Sequence, residues 1–101
     1  MDMVIMEDNM TINELGKKLS EMYENAPEGD KVAMIHLFGI RYSKIIKSNR
    51  YSASDIIKYT KLKNGSKMNK SYQTEISKGV NLAKYVIVKE TLIKFIKDYG
   101  N

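Results

Sequence analysis

The sequence predicts a mainly α fold, a bundle of about five helices with room for a small β wing. Apolar residues recur at steps of three and four in several separate stretches, and capping or turn residues bound each stretch. Only Tyr85 to Val88 strings β-prone residues together outside the N-terminus. The 101 residues contain no internal repeat, low-complexity run or linker, so residues 1–101 read as one domain. A chain of that size buries roughly 60–68% of its unfolded surface, enough for one modest core.

Met3, Val4 and Ile5 suit either a short strand or a loose end, which leaves residues 1–10 without a firm assignment. The first helix opens at Thr11. Thr11 and Glu14 match the capping box, in which each side chain satisfies the other residue's backbone N–H. Ile12, Leu15, Leu19 and Met22 form its apolar stripe, and Glu14, Lys17, Lys18 and Glu21 its wet side. Pro27, the only proline, ends it in the turn Ala26-Pro27-Glu28-Gly29.

Asp30 can cap a second helix running to about Ser48. Its first half, VAMIHLFGI, is apolar on nearly every side, as a helix crossing the core would be. Gly39 costs about 1 kcal/mol there relative to Ala. Either a neighbouring helix packs closely on Gly39 or the helix breaks there, and close packing is the preferred reading. Beyond it Tyr42, Ile45 and Ile46 turn inward, while Arg41, Lys44 and Lys47 step along the other side.

Ser52 and Asp55 form a second capping box, opening a short helix with Ile56, Ile57 and Leu62 as its apolar contacts. Lys58, Lys61 and Lys63 face out. Lys63-Asn64-Gly65-Ser66 is a turn signal, since Asn and Gly reach positive φ cheaply. Asn69 or Ser71 can cap the next helix, which runs to Lys78, with Gly79 as a left-handed C-cap residue and Leu82 covering it. Tyr85 to Val88 then form one side of a wing, or continue as helix. Thr91 caps a last helix whose Leu92, Phe95, Ile96 and Tyr99 share one side, suited to completing the core or forming a homodimer seam.

Charge is divided along the chain. Residues 1–40 hold three basic residues against eight acids, and residues 41–101 hold fourteen against four. Arg41 to Lys70 alone carry nine basic residues with only Asp55 opposed. A charge run is often just a solvated surface, but this one surrounds a helix, Tyr72 to Lys78, that is polar on most sides with Ile76 as its main anchor. Gln73 suits adenine, Lys78 suits guanine or phosphate, and Tyr72 and Thr74 suit phosphate or a thymine methyl.

The segments SASDII at 52–57 and SYQTEISKG at 71–79 resemble small prokaryotic helix-turn-helix-like domains, in which a Ser and an acid open the first helix and a Ser-Tyr start opens the second. That resemblance implies a helical DNA-binding domain whose second motif helix enters the major groove of double-stranded DNA. It covers about 30 residues firmly, and residues 11–89 if the preceding helices are counted. Taken with the basic run and the polar helix, the DNA-binding set expected is Arg41, Lys44, Lys58, Lys63, Lys67, Lys70, Ser71, Tyr72, Gln73, Thr74 and Lys78. One departure is the turn: Lys63 to Lys70 is about eight residues, against the three or four usual for the motif.

Other functions find less support. Without Cys and with His36 alone, thiolate and His-cluster metal sites and most nucleophile–base pairs are excluded, and no cofactor is implied. His36 reads as a core or boundary residue. A nuclease built from Asp55, Glu75 and Lys78 is weakened because Asp55 caps a helix and Glu75 with Lys78 suits a surface ion pair. A protein–protein module would set the basic half against an acidic partner, and RNA binding would use Tyr42, Tyr51, Tyr59, Tyr72 and Tyr85 for stacking. The run Val32 to Ile40 is too short to span a bilayer and the N-terminus is acidic, so a cytoplasmic setting is expected.

Overall fold

The computed structural model describes residues 10–86. Helix α1 spans Ile12–Glu24, α2 Lys31–Arg41, α3 Ser43–Ser48, α4 Ala53–Lys58 and α5 Gln73–Leu82, with a 3-10 turn at Lys70–Tyr72 leading into α5. The expected bundle of about five helices is present, and no strand occurs among the described residues.

Of the four expected caps among the described residues, three carry a side-chain hydrogen bond, and the box at Ser52 is half made. Thr11 Oγ1 accepts from Glu14 N at 3.1 Å while Glu14 Oε1 accepts from Thr11 N at 2.7 Å, the full capping box. At α4 the Ser52 hydroxyl accepts from Asp55 N at 3.0 Å, and the Asp55 carboxylate turns to Lys58 at 3.7 Å. Asn69 takes the third cap, its side chain accepting from Ser71 N at 2.8 Å. At α2, Asp30 occupies the N-cap position with no side-chain cap hydrogen bond.

Leu15, Leu19, Ile35, Phe38, Ile56 and Ile76 are fully buried, and Met22, Met34, Tyr42, Ile45, Ile46, Ile57 and Met68 nearly so. The most extensive helix–helix contact joins α2 to α5, with α1 packed on the other elements through α2 and α4. At the α2–α5 crossing Gly39 faces Gly79. A Cβ on Gly39 would stand 2.6 Å from the Ile76 carbonyl oxygen and 2.8 Å from Gly79 Cα, and one on Gly79 would strike the His36 carbonyl oxygen. The close packing expected at Gly39 is therefore observed.

Three expectations need correction. The helix from Asp30 to Ser48 is two helices, interrupted at Tyr42, whose φ and ψ are −108° and 16°. Tyr42 is buried with its ring 5.3 Å from that of Phe38. Gly79 is not a C-cap: α5 runs through it to Leu82, because Gly79 is needed at the crossing rather than at a helix end. The polar turn is longer than eight residues, filling 59–69 between α4 and the 3-10 turn, and it holds a miniature hairpin. Lys61 and Lys67 form an antiparallel bridge, Leu62 N donates to Ser66 O at 2.8 Å, and Gly65 turns the chain at φ 87°. Of the region offered as strand or helix, Lys84 and Tyr85 lie in a turn. Residues 87 and 88, the N-terminal MVI segment and the proposed seam of Leu92, Phe95, Ile96 and Tyr99 lie outside the described residues.

Candidate functional site

Among the described residues, helix α5 is held from one side only. Ile76 and Gly79 are buried and Val80 is half-buried against the core, whereas Thr74, Ser77, Lys78 and Asn81 are exposed on the opposite side. At 100° per residue those four fall within about one third of the helix circumference, a polar ridge along its whole length. Every group on that ridge can donate or accept a hydrogen bond.

The two flanks of the ridge differ. On one, Glu75 turns back to α2, where its Oε1 lies 2.6 Å from His36 Nε2 and 3.6 Å from Lys78 Nζ. The hydrogen bond to His36 is the main reason that the Glu75 carboxyl titrates below its ordinary range, with the Lys78 charge adding to it. The sole acid of α5 is thus neutralised in place. On the other flank an open groove of about 400 Å³ separates α5 from the α3–α4 junction, with Lys47 and Arg50 across from Ser77 and Asn81.

The hairpin is the second basic feature, and α1 clamps it. Gly16 lets the backbone of Tyr59 and Thr60 lie directly on α1, where any Cβ would strike the Tyr59 carbonyl. The Ser20 hydroxyl donates to Lys61 O at 2.6 Å, and the Glu24 carboxylate accepts from Lys63 N at 2.5 Å. Thr60 and Met68, one at each foot of the hairpin, are buried. Helix α1 therefore grips the hairpin by its backbone and leaves Lys61, Lys63 and Lys67 exposed. With Lys17 and Lys58 they line a cleft of about 830 Å³ in which Glu21 is the single acid.

Of the residues expected at an interface, Lys44, Lys58, Lys63, Lys67, Lys70, Ser71, Thr74 and Lys78 are exposed. Gln73 is half-buried at the first position of α5. Arg41 is half-buried, its guanidinium 5.3 Å from the centre of the Tyr42 ring. Tyr72 is half-buried beside Tyr23, with ring centres 5.5 Å apart and the Tyr23 hydroxyl donating to it at 3.4 Å. That bond and burial push the Tyr23 hydroxyl up to about 12. Sequence reasoning missed Ser77, Asn81 and Arg50. Asn81 follows from helical spacing once α5 is carried past Gly79, and ending the helix at Lys78 hid it, whereas Ser77 lay within the expected helix and was passed over.

Among the described residues no three His, Asp or Glu side chains are grouped to hold a metal ion, and no helix is long and apolar enough to cross a membrane. Asp55 is paired with Lys58, and Glu75 with His36 and Lys78. No curated protein and no solved structure matches the chain. A family model described as an HTH-like domain matches residues 11–89, which takes in all five helices of the described residues and the hairpin. With most of its length covered, its capped α4, and a second helix presenting a polar ridge, the chain belongs to the HTH-like domain family.

Proposed function

We propose that the chain is a small DNA-binding regulator that lays the outer ridge of α5 in the major groove of duplex DNA. The observation that carries this reading is the one-sided anchoring of α5, with Ile76 and Gly79 inward and Thr74, Ser77, Lys78 and Asn81 outward. Such a ridge has more hydrogen-bonding capacity than stability requires, and base edges in the major groove supply its complement. Gln73, at the start of the helix, is the adenine-reading candidate, and Lys78 the guanine-reading one. Arg41, Lys44, Lys58, Lys63, Lys67 and Lys70 serve the phosphates, with the Ser71 hydroxyl beside them, and position the helix without reading sequence. Tyr72 is left to brace α5 through Tyr23.

Titration of the protein with duplex DNA over a range of salt tests the proposal. With about six phosphates neutralised, log K falls with log[salt] at a slope near −5. Gln73→Ala relaxes sequence preference, while Lys67→Gln weakens all duplexes alike and makes the slope shallower by about one. A slope near zero overturns duplex binding, and equal weakening of random DNA by both variants overturns base reading by α5.

A further inference from the structure

Arg50 has φ 57° and is the only non-glycine residue with positive φ among the described residues. The reason is local. After α3, Arg50 N donates to Lys47 O at 3.1 Å and Tyr51 N donates to Ile46 O at 3.0 Å, the pair of bonds that closes a helix in the Schellman arrangement. The residue between those donors must be left-handed, and Gly fills that place in most helices because a Cβ is strained there. This chain spends an arginine on it. The side chain makes no ion pair among the described residues and is exposed.

What the arginine gains is placement. Fixed at the end of α3, Arg50 lines the groove beside α5, with Lys47 from the last turn of α3 next to it. Ser77 and Asn81 of α5 form the opposite wall, and the half-buried Ala53 and Val80 give the groove an apolar floor. A positive charge near a helix C-terminus is favourable for the helix dipole, but that requires only a nearby cation, not a strained one.

We infer that this groove holds the phosphodiester backbone of one DNA strand beside the reading helix, with Lys47 and Arg50 clamping phosphate oxygens and the apolar floor accepting deoxyribose. The inference rests on the DNA-binding proposal and adds a site to it. Arginine suits the task because its planar fork binds two phosphate oxygens at once. Clamping one strand against α3 fixes how α5 enters the groove, so Ser77 and Asn81 lie where backbone contact passes into base contact.

The test uses the full chain, a labelled duplex and the variants Arg50→Gly and Lys47→Gln. Gly fits the left-handed position without strain, so Arg50→Gly melts no lower than the original protein. It nevertheless binds duplex about threefold to tenfold more weakly at low salt, with a salt slope shallower by about 0.9, and Lys47→Gln changes the slope by a similar amount. Both weaken specific and scrambled duplexes equally. Unchanged affinity and slope in Arg50→Gly overturn the clamp while leaving duplex binding by the original protein intact. A melting point well below the original assigns Arg50 to the fold and also overturns it. Millimolar inorganic phosphate or mononucleotide that raises the melting point in an Arg50-dependent way identifies a small-anion site instead. Failure of the original protein to bind any duplex removes the underlying proposal, a result distinct from the others.

Discussion

Glu75 is the sole acid on α5, and His36 and Lys78 both hold it. Since its folded pKa lies below the ordinary 4.5, its contribution to stability is present above that value and is lost as pH falls through the folded pKa. Replacement by Gln should therefore flatten the acid side of a plot of urea midpoint against pH. A variant as acid-sensitive as the original would show that the His36 contact does not stabilise the fold. Tyr23 works at the other extreme. Its hydroxyl is raised from 10.0 to about 12 by the bond to Tyr72 and by burial, so the stabilisation is complete below pH 10 and disappears between about 10 and 12. In Tyr72→Phe, ultraviolet absorbance should show Tyr23 ionising closer to its ordinary range. No ionisation shift would mean that burial alone raises it. Neither pair was legible in the sequence. His36 and Glu75 lie 39 positions apart and Tyr23 and Tyr72 lie 49 apart, and spacing along a chain carries no information about such partners.

Helices were legible where local chemistry fixes them. Thr11 with Glu14, and Ser52 with Asp55, announce α1 and α4 through hydrogen bonds made within three residues, which a single sequence contains in full. The interruption at Tyr42 was not legible. Met34, Ile35, Phe38, Tyr42, Ile45 and Ile46 keep helical spacing straight through it, so periodicity is blind to a change of axis between two segments of one stripe. Gly79 misled for a related reason: a glycine near a helix end and one at a crossing look alike until the partner, Gly39, is known. The crossing makes a firm prediction. Gly79→Ala places a methyl group against the His36 backbone carbonyl, with no flexible side chain to yield, and should cost about 1–3 kcal/mol in urea denaturation. A cost near zero would mean that α5 slides on α2 without penalty.

Across the whole molecule, the division of charge read from the sequence acquires a mechanical meaning. The acids of α1 are not merely remote from the basic half, because Glu24 grips the hairpin backbone and helps hold Lys61, Lys63 and Lys67 in place. Basic residues collect around two clefts, one at each end of α4, and a run of charges along a chain cannot foretell that separation. Folding and reading should also be separable properties. Because Thr74, Lys78 and Asn81 bury little, Ala at each should alter thermal stability by no more than about 0.5 kcal/mol while changing duplex preference. Large stability losses would place these residues in the core's service. The contact of Gly39 with Gly79 has a consequence for descent. Two bare backbones touching let α5 lie close on α2, on the side away from Thr74, Ser77, Lys78 and Asn81, so the letters on that outer edge can be exchanged, like type in a fixed frame, without recasting the frame.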